Sequence, residues 1–240
     1  MNKTDLILAN NAHRQYPLPE KKWKYFQEWH NTLFFHWKVP REVVEKNIPA
    51  GIELDTIDNT AWVSLVAFEV KNMRFRNLPS IPFVSDFHEI NLRTYVIKDG
   101  IPGIYFFSIE TDKFIEVLLT RMFVGLPYHE SKIKRHYHGL CSSNKKLNLN
   151  LDVKLNGKNT AIQKTALDRW LTERHSLYQN CDGKIYRFDI HHKEWCLREP
   201  TAQIVNIKYK VGRYFLDDLN PDKLHCSKKI DTIFWGKQRV

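Results

Sequence analysis

Glycine and proline are scarce in this 240-residue chain, at nine and ten residues, which excludes a collagen-like repeat and contradicts low-complexity disorder. Long hydrophobic runs are absent as well: no stretch approaches the roughly 18 uninterrupted apolar residues that a membrane-spanning helix needs. The first residues, Met1-Asn2-Lys3-Thr4-Asp5, do not read as a secretory leader, so a cytoplasmic location without membrane association is expected. Cysteine is limited to Cys141, Cys181, Cys196 and Cys226. Their spacing matches neither a CxxC zinc motif nor the framework of a small secreted fold, and they read as free thiols. No Gly-x-Ser-x-Gly elbow, P-loop, GxGxxG turn or HExxH helix occurs, which argues against an α/β hydrolase, an NTPase, a dinucleotide enzyme or a zincin.

Hydrophobic residues make up 42% of the chain and aromatic ones 13%, enough for a sizeable core, and no repeat or linker divides it. One domain over residues 1–240 is expected. The net charge of +10, from 37 basic and 27 acidic residues, raises the question of a nucleic-acid partner. The basic residues are scattered, however, with only Lys132, Lys134, Arg135, Lys145 and Lys146 approaching a patch. Without a helix-turn-helix, zinc finger or RNP-like string, nucleic acid is not the expected partner.

Patterning along the chain is mostly that of strands. Leu33 to Val39 has strand composition, whereas Trp23 to His30 reads as a short aromatic helix, and Pro40 suits the first turn of a helix through Val43 and Val44. Ile52 to Ile57 and Ala61 to Val70 flank Asp58-Asn59-Thr60 as a hairpin, and both alternation sets of the second run are apolar, so it belongs inside a closed or covered sheet. Phe87 to Ile97 and Gly103 to Ile109 form a second hairpin about Lys98-Asp99-Gly100. Leu147 to Leu155 alternates cleanly before Asn156-Gly157, which predicts a half-exposed strand and a tight turn. Ile185 to Ile190 and Ile204 to Val211 add two strands. Helical spacing marks Phe114 to Met122 and Leu167 to Leu177, the latter preceded by a Thr165/Asp168 capping box. The class is therefore α+β and mainly antiparallel, with a few short helices.

Chemistry concentrates in Phe87 to Tyr95. Period-two geometry places Phe87, Glu89, Asn91, Arg93 and Tyr95 on one face and His88, Ile90, Leu92, Thr94 and Val96 on the other. The polar face is either a pocket wall framed by aromatics or a solvent-facing side on which Glu89 and Arg93 pair. Tyr128 and His129 follow Gly125-Leu126-Pro127 and offer a phenol and an imidazole, although such a string is also ordinary helix punctuation. His136-x-His138 and His191-His192 invite a zinc reading, but no third and fourth ligand has recognisable spacing, so no metal is expected.

Taken together, Phe35-His36-Trp37-Lys38-Val39, Ile48 to Thr56, Glu89 to Val96, Pro102 to Ser108, Leu126-Pro127-Tyr128 and Leu171-Thr172-Glu173-Arg174 resemble the YqjF-like family of uncharacterised bacterial proteins, over about Trp23 to His192. The resemblance implies the acetoacetate decarboxylase-like fold, a cone-shaped β-barrel with short helices around a cavity for a small keto acid. It makes Glu89 the counterpart of a substrate-steering glutamate. That enzyme's Gly-aromatic-Pro-Lys-Lys string is here Gly125-Leu126-Pro127-Tyr128-His129, so the Schiff-base amine is missing and neither a phenol nor an imidazole can form an imine. The expectation is a cavity for a small oxygenated metabolite, without a cofactor, served by Glu89 as proton acceptor or as orienter of Arg93. Arg93 would clamp a carboxylate, Tyr128 would donate to a carbonyl, and Asn91, Tyr95, His129 and Arg121 would contact the ligand. Acid/base chemistry of lyase or isomerase type and a non-catalytic sensing module both remain open, as does a homo-oligomer.

Overall fold

A strand that is apolar on both alternation sets needs cover on both sides, and residues 61–75 receive it. The computed structural model describes residues 2–81, 85–113, 125–136, 139–217 and 220–240, the side chains of 157, 158 and 205 excepted. Among these the order is α1 (Lys3–Ala9), β1 (Tyr25–Val39), α2 (Arg41–Glu45), β2 (Glu53–Leu54), β3 (Ala61–Phe75), β4 (Phe87–Lys98), β5 (Ile101–Thr111) and β6 (Tyr128–Glu130). There follow β7 (Lys132–His136), β8 (Gly139–Asn144), β9 (Leu149–Ala161), α3 (Ala166–Thr172), β10 (Ser176–Cys181), β11 (Lys184–His192), β12 (Arg198–Lys208), β13 (Lys210–Val211), β14 (Tyr214–Phe215), β15 (Lys223–Phe234) and β16 (Gln238–Arg239). No described helix is long and apolar enough to cross a membrane.

The principal sheet runs β16-β11-β10-β5-β4-β3-β1-β15-β12-β9-β8-β7, and β11 also pairs with β15 through Ile190 and Phe234. That extra pairing returns the sheet on itself, so β11, β10, β5, β4, β3, β1 and β15 form a ring. Most pairings are antiparallel; β5 lies parallel to β10 and to β6. One face of the ring strands contributes Phe34, Val66, Phe68, Phe106, Phe188 and Phe234 to a core cluster. The opposite face of β1, β3 and β4 packs Phe35, Trp37, Leu65, Ile90 and Leu92 against Leu151 and Val153 of β9 and Ile207 of β12.

Turn chemistry is obeyed where a local rule governs it. The β4/β5 hairpin turns through Asp99 (φ 52°) and Gly100 (φ 73°), a left-handed pair that aspartate tolerates and glycine adopts freely. The capping box of α3 is complete: the Thr165 hydroxyl accepts from the Asp168 N–H at 3.2 Å and the Asp168 carboxylate from the Thr165 N–H at 2.8 Å. None of the four cysteines forms a disulfide.

Several expectations are corrected. Trp23 to His30 is not helical; from Tyr25 it belongs to β1, because pairing with β3 and β15 outweighs the weak local preference of an aromatic run. Asp58 and Asn59 do turn with φ of 49° and 57°, but β2 then pairs with β4 rather than with β3, leaving only an Ile57–Thr60 bridge at the turn. No turn interrupts β9 at Asn156-Gly157, since β12 pairs with it on both sides of that dipeptide. Helix α3 stops at Thr172, and Leu177 lies on β10. The helix expected over Phe114 to Met122 lies outside the described residues.

Candidate functional site

Strand periodicity turns Glu89, Asn91 and Arg93 toward the same side of β4, where they line a cavity of about 50 Å³. All three are buried, with 7%, 2% and 8% of their surface exposed, which removes the solvent-facing alternative. The remaining walls come from around the ring: Gln27, Trp29, Thr32 and Phe34 of β1, Phe68 of β3, Phe106 of β5, Tyr128 of β6 and Ile190 of β11, with Leu126 and Trp195. A space of this size suits a compact small molecule.

The carboxylate of Glu89 is held from two sides. Oε1 accepts from Asn91 Nδ2 at 3.1 Å and Oε2 from the Tyr128 hydroxyl at 3.3 Å. Burial pushes Glu89 up to about 7, against the opposing pull of these two bonds and of the Arg93 charge. Burial and the neighbouring carboxylate push the Tyr128 phenol well above its usual range, so it stays a donor. Glu89 and Arg93 do not pair directly. The guanidinium lies instead 5.8 Å from the centre of the Phe34 ring, and its Nε has no partner.

Two further polar atoms on the wall are unpartnered, Asn91 Oδ1 and Thr32 Oγ1. Each buried polar group left so costs about 1–3 kcal/mol. A donor, an acceptor and a hydroxyl without partners thus belong to residues that line one small space, an arrangement suited to a compact polar molecule.

The other expected site residues are dispersed. Tyr95 lies farther along the same face of β4, beyond the cavity lining; its hydroxyl donates to Leu171 O at 2.9 Å and meets Ser64 Oγ at 2.6 Å. Ser64 continues to His36 Nδ1 at 2.6 Å, His36 Nε2 to His225 Nδ1 at 3.1 Å, and His225 Nε2 to Asp168 at 3.0 Å. This buried chain joins β4, β3, β1, β15 and α3, and no spacing rule foretold it. His129 does not line the cavity, because alternation along β6 puts Tyr128 there and its neighbour on the other side. Arg121 and His138 lie outside the described residues. Lys132 and Lys134 are exposed while Ile133 between them is buried, so neither reaches the cavity, and no described lysine lines it. Thr32 and Trp195 carry no local signal; only the sheet order brings them to β4.

The fold matches solved structures along nearly its whole length. The enduracididine biosynthesis enzyme MppR with HEPES bound superposes with a TM-score of 0.63 at 10% identity, covering 96% of this chain and 90% of that one. The same enzyme complexed with pyruvate gives 0.58 at 10%, over 94% and 93%. Acetoacetate decarboxylase from Legionella pneumophila gives 0.61 at 13%, over 97% and 95%. These likenesses establish an acetoacetate decarboxylase-like fold. In sequence, an uncharacterized protein of Bacillus subtilis, YqjF, is 37% identical over 226 residues, 91% of this chain and 93% of that protein. The pattern of the DUF2071 family, described as an uncharacterized conserved protein, matches residues 26–231, and the chain belongs to that family.

Proposed function

We infer that the cavity takes a small oxygenated acid, a keto acid or related carboxylate of a few heavy atoms, and that Glu89 moves a proton on it without covalent lysine chemistry. The strand ring then serves as the wall of a decarboxylase-like barrel. One observation carries this reading: a buried carboxyl near neutrality stands among residues lining the same space that hold three unpartnered polar atoms. Arg93 Nε would donate to a carboxylate or enolate oxygen, Thr32 to a second oxygen, and Asn91 Oδ1 would accept from a hydroxyl or enol. A group whose pKa lies near the working pH is effective both as acid and as base, and Tyr128 and Asn91 hold it in place. A Schiff base needs an amine nucleophile, and the described wall offers none. The pyruvate complex of the fold neighbour MppR supports the ligand class.

Calorimetric titration with pyruvate and acetoacetate, paired with NMR of solvent deuterium exchange at the carbon beside the keto group, tests the inference. The parent chain should bind and exchange; Glu89→Gln should still bind while exchange slows by about 100-fold or more. Binding without exchange in the parent reduces the protein to a sensing or storage module. Absence of binding to either acid sinks the ligand class, and a borohydride-trapped lysine adduct overturns the non-covalent chemistry.

A further inference from the structure

The adjacent pair His191-His192 has no third ligand by spacing, yet the fold supplies candidates from two distant segments. His13 arrives from the chain between α1 and β1, and Glu173 and His175 from the chain between α3 and β10. One ligand atom each of His13, Glu173 and His192 lie within 4.8 Å of one another, and so do those of His13, His175 and His191.

Hydrogen bonding separates the two sets. His191 has both nitrogens engaged, Nε2 with Ile7 O at 2.9 Å and Nδ1 with the Arg14 guanidinium at 3.3 Å, a cation that repels a metal. In the other set every ligand is oriented by its far atom. His13 Nε2 donates to His192 O at 2.9 Å, and His192 Nδ1 donates to Lys193 O at 2.7 Å. Glu173 Oε1 accepts from Trp195 N at 3.1 Å and Lys164 Nζ at 2.9 Å. The opposite atoms, His13 Nδ1 and His192 Nε2, are left as lone pairs, and Glu173 Oε2 is buried with no partner.

His175 stands beside this set, 2% exposed, its ring centre 4.9 Å from that of His192 and 5.2 Å from that of His13. Neither of its nitrogens has a partner, although a neutral imidazole carries one donor and one acceptor.

We propose that His13, Glu173 and His192 bind a divalent transition ion of the zinc type and leave its fourth position open. Imidazole nitrogens and one carboxylate are the donors such an ion takes in four-coordinate sites. The ion would clasp the segment carrying His13 to β11. None of the three residues lines the β4 cavity, so the site does not depend on the function proposed above.

The full chain, stripped with a chelator, is titrated with Zn²⁺ and separately with Co²⁺, whose visible spectrum reports coordination. One equivalent should bind, with a tetrahedral cobalt spectrum and a higher Tm on zinc addition. His13→Ala changes a half-buried residue outside the strands and should lose that equivalent while keeping the parent circular dichroism. His13→Cys should restore binding and add a thiolate-to-cobalt charge-transfer band. The proposal falls if the parent binds no equivalent, or if His13→Ala leaves stoichiometry and spectrum unchanged. Should His13→Ala fail to fold, a folded His13→Cys that takes up cobalt without a thiolate band overturns it.

Discussion

Glu89 is held in a place that costs the fold stability. Its carboxyl is raised from 4.5 to about 7 by burial, so the native state binds this proton more tightly than the unfolded chain does. The favourable contribution is full below pH 4.5 and is lost as pH rises to about 7, amounting to about 3 kcal/mol at roughly 1.4 kcal/mol per pH unit. Glu89→Gln should therefore make the protein more stable than the parent at pH 8 and flatten its urea midpoint between pH 5 and 7. A variant that is less stable at pH 8 would show that Glu89 is better satisfied as an anion than its surroundings indicate. Such a group, unfavourable for folding but near neutrality, is what an acid/base site requires. The polarity of this face was legible from alternation alone. That His129 and Tyr95 leave the cavity was not, because one depends on which side of β6 faces the ring and the other on how far the cavity runs along β4.

At the level of elements, β5 and β10 lie parallel and close because Gly103 has no side chain. A methyl there would stand 2.7 Å from the backbone oxygen of Ser176 and 2.7 Å from the Tyr178 ring, and the backbone atom cannot swing aside. Gly103→Ala should destabilise the protein by about 1–3 kcal/mol in urea titration. Because Ile104 and Leu177 both line the cavity, it should also weaken ligand binding. Unchanged stability would mean that β10 slides without cost. Elements governed by adjacent residues were readable: the Asp99-Gly100 hairpin, the Thr165 cap and the short helix after Pro40. Elements governed by a distant partner were not. The Trp23 to His30 run became strand by lying between β3 and β15, and β9 ran through Asn156-Gly157 because β12 lay alongside.

Across the whole molecule, Asp168 ties α3 to β15. Burial alone would raise its pKa, but Lys223 and the Thr165 bonds outweigh that and hold it well below the usual carboxylate range; His225 Nε2 also contacts it. A lowered native pKa stabilises the fold above about 3.8, and this support is lost as acid protonates the group in the native state. The parent should therefore lose stability at two separate places, below pH 4 through Asp168 and between 4.5 and 7 through Glu89. Asp168→Asn should lower the Tm at pH 7 and shrink the acid limb while leaving the neutral one. An acid limb unchanged in that variant would assign it to other carboxylates, of which Glu28, bound by Lys3 and Lys229, is the strongest.

The sequence by itself determined the class of the fold, the buried character of β3 and the common face of Glu89, Asn91 and Arg93, because period and turn preference act over a few neighbouring residues. Only the tertiary structure decided the strand order beyond the β4/β5 hairpin, where the sheet returns on itself, and that Thr32 and Trp195 line the same space as Glu89. It also decided that His13 and Glu173 meet His192. Each of these contacts joins segments tens of residues apart, and their positions follow from the packing of both sheet faces at once rather than from any local rule.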